Sequence, residues 1–141
     1  THVNGSNFQY EDGIYCWYGD GNGDRIELAS YNVADASNTY EAWVKASNVS
    51  GWNTFWDSGS ADDERPLIGF YGTELRVHPD DPDPAYYDVV ANTWYHIVVA
   101  FASDDDYDVF VNGEVVGTAV DYSSTQQTGS TTLWLGGDAG K

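Results

Sequence analysis

Apolar and polar residues alternate with a period of two along most of the chain, most clearly in residues 92–120. Asn112 and Gly113 there lie between alternating apolar residues, which predicts a β-hairpin because a type I′ turn needs positive φ at both central positions. Residues 94–102 are apolar at nearly every position, which is typical of a central strand covered on both faces. The two-residue loop predicts three cross-strand pairs: Val111 with Glu114, Phe110 with Val115, and Val109 with Val116.

The same alternation continues outside this three-strand unit. Residues 39–46 form a strand pattern that places Trp43 on one side and the side chains of Tyr40 and Val44 on the other. No helical periodicity is longer than one turn, so we predict an all-β fold, an antiparallel two-sheet β-sandwich with residues 1–141 as a single domain. Further strands are predicted at residues 8–18 (one strand or two), 25–29, 52–57, 67–71, 75–78, 86–90 and 131–136.

The composition fits an all-β sandwich. The chain has 141 residues, of which 16% are aromatic, with 6 Trp and no Met. No stretch approaches the ~18 apolar residues of a membrane span, so we expect no membrane insertion. No secretory signal is visible, and an exported chain would have lost its leader. The single Cys16 excludes an internal disulfide, and its apolar neighbours indicate a small buried hydrophobe.

The charge balance narrows the range of partners. The chain has 23 acidic and 5 basic residues, for a net charge of −18. A surface of this kind repels nucleic acid and anionic lipid, so we expect neither as a partner. Two interpretations of the acids stay open: halophilic adaptation, in which salt screens their repulsion, or binding of divalent cations by clustered carboxylates.

Residues in the central unit resemble a known family. Trp94, His96, the apolar strand that follows and the Val111-Asn112-Gly113 hairpin are similar to the laminin-G/concanavalin-A-like jelly roll of lectins and glucanases. The resemblance implies the β-sandwich fold and covers about residues 8–137, including segments 23–28, 40–45 and 133–137. The family pattern usually continues into a further strand, whereas this chain stops at Lys141. We therefore expect the closing strand to be lacking, with residues 1–8 covering the edge, or to be borrowed from a neighbouring chain.

One segment resembles the start of a calcium-binding loop. Asp20, Asn22 and Asp24 present oxygen ligands at alternating positions, so they are the candidate metal ligands and calcium is the candidate ion. Arg25 stands where that motif needs its glycine, and Tyr31 stands where it needs a bidentate Glu. A tight inter-strand turn is therefore the alternative interpretation.

Other polar motifs are assigned to the surface. Residues 104–106 with Asp108, and the acids of the proline-rich residues 80–83, are predicted to be solvated turns. Asn4 and Asn48 begin Asn-x-Ser sequences, which makes them candidate glycosylation sites in an exported protein.

Sequence features of catalysis are missing. Related jelly-roll glycosidases use Glu-x-Asp-x-x-Glu to aim paired carboxylates into a cleft, and no Glu in this chain is followed two places on by Asp. There is no Gly-x-Ser-x-Gly nucleophile elbow. His96 lies on the buried strand, where a hydrogen-bonded core residue is expected. We therefore predict that the protein is not an enzyme.

Carbohydrate binding suits the aromatic content, because sugar rings stack on exposed aromatic rings while carboxylates and amides bond to hydroxyl groups. Trp43, Trp94 and Trp134 are expected inside the fold. The candidate ligand-binding residues flank a Gly/Ser/Asn-rich bend or follow the proline-rich loop, and they are Trp52, Trp56, Tyr86 and Tyr87.

The predicted function is a non-catalytic recognition or adhesion module at an extracellular, cell or virion surface. Its expected partner is a glycan or a cell-surface or particle protein. The alternative is a structural subunit of an assembly, such as a virion decoration or tail protein or a surface filament. In that case homo- or hetero-oligomeric contacts complete the sheet with a strand from a neighbour.

Overall fold

The structure, a computed structural model, describes residues 2–3, 7–19, 23–33, 38–58, 67–78, 85–102, 106–121 and 129–136. Within these residues the chain forms strands and turns, as the alternation predicts. The strands are β1 (His2–Val3), β2 (Asn7–Glu11), β3 (Ile14–Tyr18), β4 (Arg25–Val33), β5 (Asn38–Val44), β6 (Trp52–Ser58), β7 (Leu67–Tyr71), β8 (Glu74–His78), β9 (Ala85–Asp88), β10 (Tyr95–Phe101), β11 (Asp106–Val111), β12 (Glu114–Asp121) and β13 (Gly129–Leu135).

The strands form two antiparallel sheets and a separate hairpin. The large sheet has the order β1-β4-β13-β6-β7-β8-β9, and the small sheet has the order β12-β11-β10-β5. The third unit is the two-stranded hairpin β2-β3. The antiparallel β-sandwich is therefore confirmed.

Strand β10 lies between β5 and β11 and shows why the two layers pack. Its side chains alternate between buried and half-buried along its whole length. Ile97 and Val99 are fully buried in the core, whereas Val98 on the opposite face is only half-buried. Coverage of this strand on both faces, which its apolar run predicted, is therefore not what the structure has, because the outer face of the small sheet remains partly open.

The hairpin between β11 and β12 has the predicted turn, since Asn112 and Gly113 have φ values of 53° and 84°. Val111 pairs with Glu114 and Phe110 with Val115, as predicted. The third predicted pair is wrong, because Val109 lies opposite Gly117 after an irregularity in the register. A bulge of this kind places one extra residue in one strand.

An aromatic core fills the space between the sheets. Tyr40 packs edge-on against Trp56 and Phe101, with ring centroids 5.8 Å apart in each case. Phe70 packs in the same way against Tyr95, at 5.9 Å. Edge-to-face pairs at these separations stabilise a core beyond the area they bury. The core therefore joins β5, β6, β7, β10 and β11 into one packed unit.

The hairpin β2-β3 is attached to the sandwich through Trp17. Its indole covers the Cα of Gly136, at the end of β13, so closely that a Cβ at that position would collide with the ring. The indole also lies over Gly19, where a Cβ would be 3.1 Å from Trp17 Cη2. Gly136 has a φ of 76°, so both its backbone conformation and its neighbour require glycine.

We predict that Gly136→Ala destabilises the protein more than Gly113→Ala. Both residues have positive φ, so both variants incur about 1–2 kcal/mol of left-handed strain. Only Gly136→Ala also displaces the Trp17 ring, since a Cβ at Gly113 would meet nothing within 4 Å. We expect an additional loss of about 1–3 kcal/mol in the free energy of unfolding, measured by urea denaturation. Equal losses in the two variants would contradict the contact between Trp17 and Gly136.

Candidate functional site

A cleft opens where the turn of the β2-β3 hairpin meets the edge of the small sheet. Its volume is about 290 Å³, and it is lined by Asp12, Ile14, Trp43 and Trp94. Asp12 and Ile14 come from the hairpin, Trp43 comes from β5, and Trp94 directly precedes β10. The cleft therefore depends on the hairpin being held against the sheet.

Trp43 is the most accessible tryptophan of the cleft. Because side chains alternate along a strand, Trp43 on β5 points away from the core that Tyr40 enters, and it is 61% exposed. It lies opposite His96 of β10, and the two rings stack with centroids 5.1 Å apart and an interplanar angle of 28°. His96 therefore holds the indole in place on the outer face of the sheet.

Asp12 connects the hairpin to the sheet. Its carboxylate accepts a hydrogen bond of 2.8 Å from Lys45 Nζ and one of 2.9 Å from Trp94 Nε1. Lys45 also donates to Glu11 Oε1 at 2.5 Å, and its ammonium group lies 5.2 Å from the centre of the Trp94 ring. These contacts fix the orientation of Trp94, which lines the cleft.

The same contacts shift the ionisation of the network. Hydrogen bonds from Lys45 and then from Trp94, together with the positive charge of Lys45, hold the pKa of Asp12 below its usual value. Hydrogen bonds to Asp12 and Glu11 raise the pKa of Lys45. Both groups are therefore charged at neutral pH, and Asp12 is a hydrogen-bond acceptor at that pH.

His96 is hydrogen-bonded, as expected, but it is not a core residue. Its side chain lies on the outer face of the small sheet, where Nε2 is 2.9 Å from Glu41 Oε1. The carboxylate of Glu41 thus orients the imidazole, and the imidazole in turn supports Trp43. These contacts place Glu41 and His96 beside Trp43 on the outer face of the sheet.

The expectation that Trp43, Trp94 and Trp134 lie inside the fold needs correction. Trp43 is on the surface, while Trp94 and Trp134 are only partly buried. Side chains alternate along β5, so Trp43 and Tyr40 lie on opposite faces of the sheet. The sequence therefore already contained a signal that Trp43 is exposed. Trp94 carried no such signal, because its position depends on the distant Asp12.

The residues predicted from sequence to bind a ligand are not brought together. Trp56 is 7% exposed and packs in the core against Tyr40 and Phe55, so it offers no open ring face to a sugar. Tyr86 and Tyr87 are half-buried and pack against the core. The Tyr86 hydroxyl is hydrogen-bonded to the Tyr107 hydroxyl, and the Tyr87 ring contacts Tyr95. These three rings pack within the fold, and a ligand at any of them stays a prediction.

Trp52 is exposed, as a ligand-binding residue would be, but it lies on the large sheet. It is opposite Tyr71, and their ring centroids are 5.2 Å apart. The Arg76 guanidinium lies 5.2 Å from the centre of the Tyr71 ring and is paired with Glu74 at 2.6 Å. This small aromatic platform is separate from the cleft, and a ligand at Trp52 stays a prediction.

The metal and glycosylation predictions remain open. Asp24 is 3% exposed and takes part in interactions inside the fold, while Asp20 and Asn22 lie outside the described residues. The described segments contain no group of three or more His, Cys, Asp or Glu side chains arranged to hold a metal ion. Asn4 lies outside the described residues; Asn48 is exposed and accepts a 2.8 Å hydrogen bond from Ser50 Oγ.

Comparison with known protein families identifies the class of the protein. Residues 20–141 match the concanavalin A-like lectin/glucanases superfamily, and the chain belongs to that family. The resemblance of the central unit to this family is thereby confirmed. Comparison with curated protein sequences gives no match.

Three solved structures of similar fold belong to longer chains. Domain 4 of AbnA, a GH43 extracellular arabinanase from Geobacillus stearothermophilus in complex with arabinotriose, has a TM-score of 0.73 and 13% identity over 96% of this chain and 68% of that one. Trypanosoma rangeli sialidase in complex with sialic acid has a TM-score of 0.59 and 17% identity, covering 85% of this chain and 23% of that one. The binding domain of botulinum neurotoxin DC in complex with SialylT has a TM-score of 0.53 and 13% identity, covering 92% and 42%.

The lowered pKa of Asp12 predicts how the cleft responds to acid. Because its pKa is lowered in the folded state, the carboxylate contacts are fully present above the ordinary value of 3.8 and are lost as the pH falls through the lower folded value. In ¹H–¹⁵N NMR spectra, the Trp94 indole N–H signal should hold its position from about pH 7 to about pH 5 and move only in stronger acid.

Asp12→Asn provides the control for this titration, since its amide does not ionise in this range. The Trp94 indole signal of the variant should show no acid transition of this origin. A wild-type transition centred at or above 3.8 would contradict the network around Asp12.

Proposed function

We propose that the protein is a non-catalytic carbohydrate-recognition module that binds a glycan in the cleft between Trp43 and Trp94. The observation that carries the proposal is the exposed indole of Trp43 beside a cleft that also contains a carboxylate. Large apolar side chains are normally removed from water, so an exposed, oriented tryptophan in a concave site favours a binding role.

The lining of the cleft matches the chemistry of a sugar. A pyranose or furanose ring presents C–H groups on its faces, which pack on aromatic rings, and hydroxyl groups on its edges, which need hydrogen-bond acceptors and donors. Trp43 and Trp94 supply the rings, and Ile14 adds apolar surface. Asp12 supplies an oriented carboxylate that remains ionised at neutral pH.

The state of the carboxylates supports binding over catalysis. Glycoside hydrolysis needs one carboxylic acid whose pKa is raised so that it can donate a proton. Asp12 has a pKa shifted in the opposite direction. Glu41 is engaged by His96, and Glu11 is engaged by Lys45. Carboxylates held in these contacts are suited to orienting a ligand.

An extracellular setting is part of the proposal. The family includes lectins, and the similar domain of AbnA belongs to an extracellular enzyme. In the described segments there is no helix with the length and apolarity needed to cross a bilayer. A glycan at a cell or particle surface is the partner that suits such a module.

The proposal predicts that Trp43→Ala weakens glycan binding by about tenfold or more, equivalent to about 1.4 kcal/mol. Trp43 is exposed, so removal of its side chain should leave the fold intact and the melting temperature little changed. The measurement is a glycan array of neutral oligosaccharides, including arabinotriose, followed by calorimetric titration with the strongest ligand.

Trp52→Ala is the matched control, because it removes another exposed tryptophan from the opposite sheet. This variant should bind like the wild type. If Trp52→Ala lost binding and Trp43→Ala kept it, the ligand would belong to the platform on the large sheet. Absence of binding to every glycan on the array would argue against the proposed function.

A second candidate function is that of a subunit in an assembly. An edge strand and an exposed hairpin beside it favour this function. Strand β5 is at the edge of the small sheet, and the adjacent hairpin exposes Phe8, Tyr10 and Tyr15, of which Tyr15 is 80% exposed. Edge strands and apolar patches are common places of association. Size-exclusion chromatography tests this candidate: concentration-dependent oligomers would support it, and a monomer at all concentrations would count against it.

A further inference from the structure

Resting on the proposed function, we infer that the cleft takes uncharged glycans and rejects those that carry carboxylate or sulfate groups. Charges around the aromatic rings decide this selectivity, whereas the proposed function depends on the rings themselves. The basic side chains near the cleft are already paired with carboxylates of the protein.

Lys45 is the basic residue of the cleft network, and its charge is already neutralised. Its ammonium group is 2.5 Å from Glu11 Oε1 and 2.8 Å from Asp12 Oδ2. It also faces the ring of Trp94. An acidic sugar could form an ion pair with Lys45 only by displacing two carboxylates. Those carboxylates would also repel the sugar as it approached.

The same matching of charges extends through the described part of the chain. Arg25 pairs with Glu27 at 2.9 Å, and Arg76 pairs with Glu74 at 2.6 Å. Arg and Lys donors that can turn toward the ligand form the strongest hydrogen bonds to carboxylate and sulfate groups. In the segments that the structure describes, each Arg and Lys is instead held by an acidic neighbour.

Negative charge dominates the cleft and its surroundings. Glu11, Asp12 and Glu41 supply three carboxylates, against the ammonium group of Lys45 and the imidazole of His96. The chain as a whole has a net charge of −18, these groups included. At moderate ionic strength a field of this sign lowers the local concentration of anionic ligands and slows their association. Neutral sugars are unaffected by it.

A structure of similar fold was solved with an uncharged sugar: domain 4 of AbnA is in complex with arabinotriose. The charge pattern of this cleft matches the neutral class of ligand.

The test compares binding to three sets of matched glycans on one array. Two sets are lactose and N-acetyllactosamine, each in its neutral, 3′-sialylated and 3′-sulfated form. The third set is arabinotriose, a neutral pectic trisaccharide and an acidic pectic trisaccharide. Binding is measured at about 0.1 M and about 1 M NaCl, where the screening length falls from about 10 Å to about 3 Å. We expect neutral members to bind at least about tenfold more tightly than their acidic counterparts at low salt, and the gap to narrow at high salt.

Two variants distinguish the effect of a carboxylate beside Lys45 from the effect of the chain's net charge. Glu11→Gln removes one of the carboxylates that engage Lys45 and should raise binding of the acidic members severalfold at low salt. Glu27→Gln removes one negative charge at the distant Arg25 and should have a smaller effect. Equal effects of the two variants would overturn the assigned role of the Lys45 network.

The outcomes distinguish this inference from the proposed function. Binding of acidic members as tightly as neutral ones, or more tightly, would overturn the selectivity and leave carbohydrate binding intact. Failure of every neutral and acidic member to bind would overturn the proposed function, and the selectivity with it.

Discussion

The structure depends on the placement of β10 between β5 and β11, because this pairing decides which side chains enter the core. The antiparallel register sets Ile97 opposite Ala42 and, one residue away, His96 opposite Trp43. A slip of β5 by one residue relative to β10 would turn Ala42 away from the core and Trp43 toward it. The same hydrogen-bonded ladder therefore produces both the aromatic core and the exposed indole.

The candidate site also needs the hairpin to be held against the sandwich. Two sets of contacts hold it: Trp17 packs on Gly136 at the end of β13 in the large sheet, and Asp12 joins Lys45 and Trp94 beside the small sheet. Surface ion pairs stabilise a fold little on their own. Their role here is geometric, since they hold Asp12 and Trp94, two of the residues that line the cleft, in place.

Much of the fold was readable from the sequence, and less of the site was. Period-two alternation and the Asn112-Gly113 turn are local signals, so they predicted the strands and the central hairpin. The bulge beside Val109 was not visible because it depends on packing between strands. The cleft was missed for the same reason, since Asp12 and Trp94 lie 82 residues apart in the chain. Trp56, by contrast, lies beside a polar bend in the sequence but fills the core in space.

An outward-facing Trp43 and a carboxylate-anchored Trp94 form the proposed binding surface of this member of the concanavalin A-like lectin/glucanases superfamily. The most direct test is a crystal structure of the protein with a bound neutral oligosaccharide. The account predicts a sugar ring packed against the Trp43 indole, with a hydroxyl group within hydrogen-bonding distance of Asp12. A sugar seated on Trp52 and Tyr71 with the cleft empty would contradict it.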